Sequence, residues 1–495
     1  MSFARQFFES MKTYGERPAL VAGREELRYA DIAAQAINLA THLSTLGISA
    51  GTRVGIAIKE PLDALLACFA CWRLSATPAM IDFRAPRPDR QGLARDFGLS
   101  LVLESRPPPG KGDYPAVTFD PQWRFAGTPA GRLPETIDCS NPAFLLFSSG
   151  TTGTPTAYIQ THETLVGRIA GRVHGAREGH PPRYLTGMTL TYSATRHHLL
   201  GHLFAGGVAK LLPPLFTPSD MIEALLSFRA TGTGQPPPVV ARMVEEVGER
   251  SAPLFADLAS LDSIGGPARP EDKVAAWRNL SRGYRISYAS TLTGAVSCLA
   301  GDDVAARPET AGRLNKGVRV EIVDEDGHVL PPGEPGLIKA WAPTVASAVI
   351  RPGGGSFVDP KVMGPGWGIP GDIGLLGPDG FLTIVDRSKD MIVRGGVNVA
   401  PQELERLIRR HPGVADVAVA GFGDPVMGQE IAAFVVGRGE ITIGDLRAFL
   451  AANVSPEKRP REIRLVGSLP YSENGKLLRR VLVDELERSL GAPRS

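Results

Sequence analysis

Between Ser148 and Thr154 the chain reads SSGTTGT, seven small residues following the apolar run Phe144–Phe147. Hydroxyls and unhindered backbone N–H groups gathered after a strand can wrap an anion, because glycine permits positive φ and close approach while each hydroxyl donates a further hydrogen bond. Ser148, Ser149, Gly150, Thr151, Thr152 and Gly153 are therefore candidate phosphate-binding residues. The run does not match G-x-x-x-x-G-K-[ST], and taken alone it also describes an ordinary surface loop. Two other spacings bear on chemistry. CFAC at 68–71 has redox or zinc spacing but sits in the helical apolar stretch LDALLACFACWRLSA without a second cysteine pair, which favours core packing. His198 and His202 lie four apart on an expected helix with no third ligand, so no metal site is assigned.

These residues need a scaffold. YADIAAQAINLATHLSTLG has helical periodicity, GTRVGIAI is a short β-branched run, and a second helical stretch follows; this alternation predicts βα units with helices on a parallel sheet. EALLSFRATG, PPPVVARMVEEVGE and LDSIGG repeat the pattern. GVRVEIVDEDGHVLPPGEPGLIKAW reads as a β-rich section turning at Asp-Glu-Asp-Gly-His. From Arg387 onward, DMIVRGGVNVAPQELERLIRRHPGVADVAVAGFGD gives hairpin, helix and strand, and ITIGDLRAFLAANV a further helix, the makings of a small α+β unit.

The 495 residues, 43% hydrophobic and 21% charged, suffice for two or more domains. A net charge of +2 offers no basic excess for nucleic acid or an anionic membrane. The 56 glycines and 42 prolines fit a loop-rich α/β protein and fall below the level, roughly 25–30%, of low complexity. Four cysteines suit a reducing compartment. With no secretory h-region and no apolar run of membrane-spanning length, a cytoplasmic protein is expected.

Read in order, five stretches resemble the adenylate-forming superfamily of acyl-CoA synthetases, peptide-synthetase adenylation domains and luciferases. They are SSGTTGTPTAYIQTH, GGPARPED at 265–272, YASTLTG at 288–294, GWGIPGDIGLLGPDGFLTIVDRSKDMIVRGGVNVAPQELE at 366–405 and LPYSENGKLLRRVL at 469–482. The likeness covers nearly the whole chain, and an ordered set is far more specific than any one motif. It implies an acyl-CoA synthetase-like α/β fold: a large N-terminal domain, residues 1–387, with parallel sheets and a β-rich section, and a small mobile α+β domain, residues 388–495.

The resemblance also implies roles. Lys476 matches the catalytic lysine, whose ammonium would bridge the acid carboxylate and the α-phosphate as charge develops. Asp372 matches the aspartate that accepts from the ribose hydroxyls, and Arg387 its partner on ribose and phosphate. Tyr288 would cover adenine, Gly266 and Pro267 would edge its pocket, and Thr291 belongs to the same nucleotide set. Lys389 takes the hinge position, and Gly395 and Gly396 would let the chain approach a pantetheine arm. Arg196, His197 and His198, with Thr293 and Gly294 opposite, are the candidate acid pocket.

Three positions depart from the pattern. Thr156 stands where the family has its phosphate-loop lysine, Leu292 where it has a glutamate that helps hold Mg²⁺, and Pro370 where it has the threonine before Gly-Asp. Retention of Lys476, Asp372 and Arg387 favours activity. The expected function is ATP-dependent ligation of a small carboxylic acid to coenzyme A through an acyl-adenylate, with ATP, Mg²⁺ and coenzyme A as cofactors. A stand-alone adenylating enzyme that loads the phosphopantetheine of a carrier protein and a catalytically impaired acyl- or nucleotide-binding homologue remain open, as do the identity of the acid and the oligomeric state.

Overall fold

The computed structural model describes residues 3–106, 114–125, 133–147, 156–175, 180–213, 215–353, 356–357, 363–472 and 477–490. Arg53–Ala57, from the β-branched run, is a strand, and Pro61–Arg73 is the helix expected after it. Proline opens that helix, where a missing N–H costs nothing, and every residue from Leu62 to Trp72 is buried. Cys68 and Cys71 lie inside this core, where burial pushes the Cys68 thiol up to about 12. Trp72 packs against Phe3, Phe7, Phe69 and Phe144 with ring centroids 5.3–6.1 Å apart, contacts worth about 0.5–1.5 kcal/mol each beyond area burial. The chain's first helix, Phe3–Tyr14, is thereby pinned to the centre.

Four sheets organise the described residues. An eight-stranded sheet holds Arg53–Ala57 and Thr77–Met80 in parallel and includes an antiparallel pair, Phe144–Phe147 with Ala157–Gln160. The Ser-Gly-Thr run, residues 148–155, falls between these two paired strands and lies outside the described residues. A nine-stranded sheet carries a parallel centre, Val208–Leu211, Arg183–Thr186, Gly232–Gln235, Ser260–Ser263 and Tyr284–Ser290, closed by the antiparallel Gly294–Ala300.

The β-rich section is a six-stranded sheet. Arg319–Val323 and Gly336–Trp341 pair antiparallel. The intervening Asp-Glu-Asp-Gly-His turn is held by Asp324, whose Oδ1 accepts from the N–H groups of Asp326 and His328 at 3.0 and 2.8 Å. Asp372–Leu376 and Leu382–Arg387 also pair antiparallel, in a register that sets Asp372 opposite Arg387.

From Ile392 onward a five-stranded sheet forms with the helices Pro401–Ile408, Ile443–Asn453 and Arg479–Leu490 around it. Its core, with Ile392, Leu404, Val417, Ile431, Leu446 and Ile463, is separate from those of the preceding sheets. Hairpin, helix and strand follow one another there as the sequence predicts. The protein is thus a mixed α/β fold with a small C-terminal α+β domain. Among the described residues no helix is long and apolar enough to cross a membrane.

Candidate functional site

Tyr288, Asp372 and Arg387, far apart in sequence, meet where the nine- and six-stranded sheets adjoin. Tyr288 Oη donates to Asp372 Oδ2 at 2.6 Å, and Arg387 Nε donates to Asp372 Oδ1 at 2.9 Å. Asp372 is only 7% exposed. Its strand begins after Gly371 at φ 84°, a conformation that favours glycine and brings Asp372 into register with Arg387. Burial, reinforced by the Asp372 charge, raises the Tyr288 phenol well above its ordinary range, so it stays a donor. The result is a carboxylate fixed between a phenol and a guanidinium.

Thr291, Leu292, Thr293 and Gly294 follow Tyr288 in the turn to the next strand. Arg168 ties this turn down from the helix His162–Ile169: its Nη2 donates to the carbonyls of Thr291, Leu292 and Thr344 at 2.9, 3.1 and 2.9 Å. Ser290 Oγ and Thr293 Oγ1 share a 2.8 Å hydrogen bond, and Gly294, at φ 77°, turns the chain where a Cβ would stand 2.9 Å from Thr344 Oγ1. Leu292 is 3% exposed and packs with Ala342, Val345, Ala346, Val349 and Met363. Gly266 and Pro267 follow the strand Ser260–Ser263, Gly266 half-buried and Pro267 exposed.

The helix Ser193–Phe204 separates the expected acid-pocket residues. Arg196 spends its Nη1 on the carbonyls of Leu190 and Thr191 and lies over the Phe144 ring at 4.8 Å. His197 Nε2 accepts from Gln160 Nε2 at 3.1 Å, and burial holds its imidazole neutral. His198 takes another direction, stacked on Tyr184 with its Nδ1 4.0 Å from Asp262 Oδ2. Arg168, Arg172, His174, Asp262 and Arg285 were not singled out from sequence. The only signal was polar residues alternating with apolar ones in SLDS and YRISYAS, strands with few exposed positions.

Lys389 lies in the short turn Ser388–Asp390, where burial lowers its pKa. Just before it, Asp386 is fully buried and accepts from the backbone N–H of Gln402, at the start of the helix Pro401–Ile408, at 2.8 Å. Gly395 and Gly396, at φ 54° and 86°, form the two-residue turn of the hairpin Ile392–Arg394 with Val397–Val399. Ser148, Ser149, Gly150, Thr151, Thr152, Gly153 and Lys476 lie outside the described residues. The chain flanking 473–476 is anchored by a bridge between Tyr471 and Leu477 and by Leu478 N donating to Pro470 O at 2.8 Å.

Residues 7–348 match the family described as AMP-binding enzyme, and residues 403–476 match the AMP-binding enzyme C-terminal domain. A long-chain-fatty-acid–CoA ligase of Mycobacterium tuberculosis is 26% identical over 93% of this chain and 93% of its own. A feruloyl-CoA synthase of an Amycolatopsis species is 28% identical over 92% and 93%. The solved o-succinylbenzoate CoA synthetase of Bacillus subtilis, in complex with its acyl-adenylate intermediate, superposes with a TM-score of 0.83 at 22% identity, covering 97% of this chain and 98% of that one.

Proposed function

This chain belongs to the family of AMP-binding enzymes, and from that premise we propose that it is an AMP-forming carboxylic acid–thiol ligase acting on coenzyme A. The acid carboxylate attacks the α-phosphorus of ATP, pyrophosphate leaves, and a thiol then displaces AMP from the acyl-adenylate. The contact of Tyr288 and Arg387 on Asp372 carries this reading. A buried carboxylate with its free lone pairs directed by two donors is suited to accept from ribose hydroxyls, and the neighbouring guanidinium to answer phosphate charge. Relatives named as CoA ligases, matched over nearly their whole length, favour coenzyme A as the thiol.

Residues 388–495 act in this reading as a lid turning about Lys389, with Lys476 delivered for the first step and the Gly395-Gly396 turn beside the thiol in the second. The separate core beyond Ile392 supports such a unit. The Mg²⁺ implied by the family does not find its ligand here, because Leu292 offers no donor atom and is packed among apolar side chains. Mg²⁺ would instead be held through phosphate oxygens and water, without a ligand from this position.

Asp372→Ala is expected to raise the KM for ATP about 10- to 100-fold with a smaller change in kcat, since charge-assisted hydrogen bonds are worth roughly 1.5–3 kcal/mol. Initial rates over an ATP series measure it, and an unchanged KM would remove Asp372 from the nucleotide site. The function itself is tested by pyrophosphate release with a panel of carboxylic acids, with and without coenzyme A. Release with at least one acid, and its thioester on adding coenzyme A, is the expected result. ATP binding without release for any acid would instead support the impaired binding protein that the buried Leu292 favours.

A further inference from the structure

One buried face of the nine-stranded sheet is polar. In register across five strands, Tyr184, Gly232, Gly234, Asp262, Arg285 and Cys298 point the same way. Their neighbours Leu185, Leu261, Tyr284, Ile286 and Leu299 build an apolar core on the other face. The helix Ser193–Phe204 lays His198 and His202 over the polar side, their rings stacked on Tyr184 at 5.7 and 4.7 Å. Arg172 and His174, in the segment after the helix His162–Ile169, approach the same cluster.

Its polar atoms are incompletely paired. His202 Nδ1 donates to the His198 carbonyl at 2.8 Å, which leaves Nε2 as an acceptor. That Nε2, both ring nitrogens of His198 and Arg285 Nε have no hydrogen-bond partner among the described residues. Arg172 donates to the Arg168 carbonyl at 3.4 Å and Arg285 to His174 Nε2 at 2.6 Å, so neither guanidinium spends these bonds on a carboxylate. Burial holds His174 and His202 down to about 4 and His198 lower still, so all three imidazoles are neutral near pH 7. Among the described residues, the guanidiniums of Arg172 and Arg285 thus share this cluster with the carboxylate of Asp262, beside Arg285 in register. Unpaired buried polar atoms are costly, and an excess of buried positive charge favours an anionic group.

We propose, resting on the reading of this chain as an acid-activating ligase, that its acid is a dicarboxylic acid whose second carboxylate is held by Arg172 and Arg285 with His198. The carboxylate being activated sits elsewhere, because Arg285 stands three residues before Tyr288 on one strand, about 10 Å along it.

The test compares diacids from succinate to suberate, together with phthalate and terephthalate, against their monomethyl esters. Each pair has nearly the same size and differs by one charge. The preferred diacid is expected to exceed its ester about 10- to 100-fold in kcat/KM for pyrophosphate release, the range of a charge-assisted hydrogen bond. Arg285→Gln, and independently Arg172→Gln should the first variant misfold, are expected to remove that preference while leaving the KM for ATP unchanged. Calorimetric titration of the same compounds reads the pocket without turnover. Diacids that bind better than their esters without pyrophosphate release would sustain the pocket and overturn the ligase reading. Esters that react or bind as well as diacids, or a series in which nothing binds or reacts, would overturn the dicarboxylate.

Discussion

Lys476→Ala is expected to lower pyrophosphate release from acid and ATP about 100- to 1,000-fold while thioester formation from supplied acyl-AMP continues at close to the parent rate. The first half-reaction brings an anionic carboxylate onto an anionic phosphate, and charge grows on the phosphate oxygens as pyrophosphate departs. A positioned donor at such a centre is worth about 10²–10³ in rate. The ammonium is suited to the task as a compact charge with three donors. In the second half-reaction a thiol attacks a carbonyl already activated by AMP, and a lysine placed for adenylation has no part in it. Assaying each half-reaction separately gives the result. Equal losses in both would overturn the assignment of Lys476 to one lid position.

The sequence carries the fold where periodicity has a single physical reading. Arg53–Ala57 and Pro61–Arg73 follow directly from the switch between a β-branched run and a continuous apolar helix, and the Asp324 turn follows from an aspartate able to cap its own loop. Sheet membership is less legible, because it depends on partners distant in the chain. Ala348–Ile350, for example, leaves the β-rich section to pair with Ala157–Gln160 in the eight-stranded sheet. Asp372, Arg387 and Tyr288 could be chosen from motif order, and they meet in space. Arg168 and Arg172 could not, since arginines at a helix end and beyond usually indicate a solvated surface; only the tertiary fold buries Arg168 against three carbonyls.

The polar sheet face was hidden for a related reason. Arg285 sits between Tyr284 and Ile286, and Asp262 follows Leu261, the pattern of a half-exposed strand, and it takes the covering helix with His198 and His202 to turn that outward-looking face into an interior. Conversely, Arg196 and His197 belong to the stretch the resemblance selects, yet their hydrogen bonds go to Leu190, Thr191 and Gln160. A helix presents successive side chains about 100° apart, so neighbours in sequence need not serve one pocket.

The same C-terminal unit sets the second large effect, at Arg479. This residue opens the helix Arg479–Leu490, three positions after Lys476, and donates through Nη2 to Glu405 Oε1 at 2.6 Å and through Nε to Val419 O at 2.9 Å. Glu405 is 4% exposed, and its carboxyl is pushed up by burial against the opposing pull of Arg479. Arg479→Ala is expected to cost about 3 kcal/mol, the low end for a broken buried pair, because the carboxylate keeps only Arg409 at 3.9 Å and the Val419 N–H. The pH dependence separates this from lost packing. A carboxyl whose folded pKa is raised favours folding below its unfolded pKa, about 4.3, and loses that contribution as pH rises through the folded value. The variant's deficit in a denaturant titration should therefore be full at pH 7 and shrink on acidification towards pH 4, whereas a deficit independent of pH would point to packing alone. Arg479→Met combined with Glu405→Leu should recover most of the stability, since an apolar pair replaces the ionic one without stranding a charge. Adenylation should remain slow in this double variant with the KM for ATP unchanged, on the proposal that Lys476, three positions before Arg479, serves that step. Recovery of both stability and rate would reduce Arg479 to a structural tie.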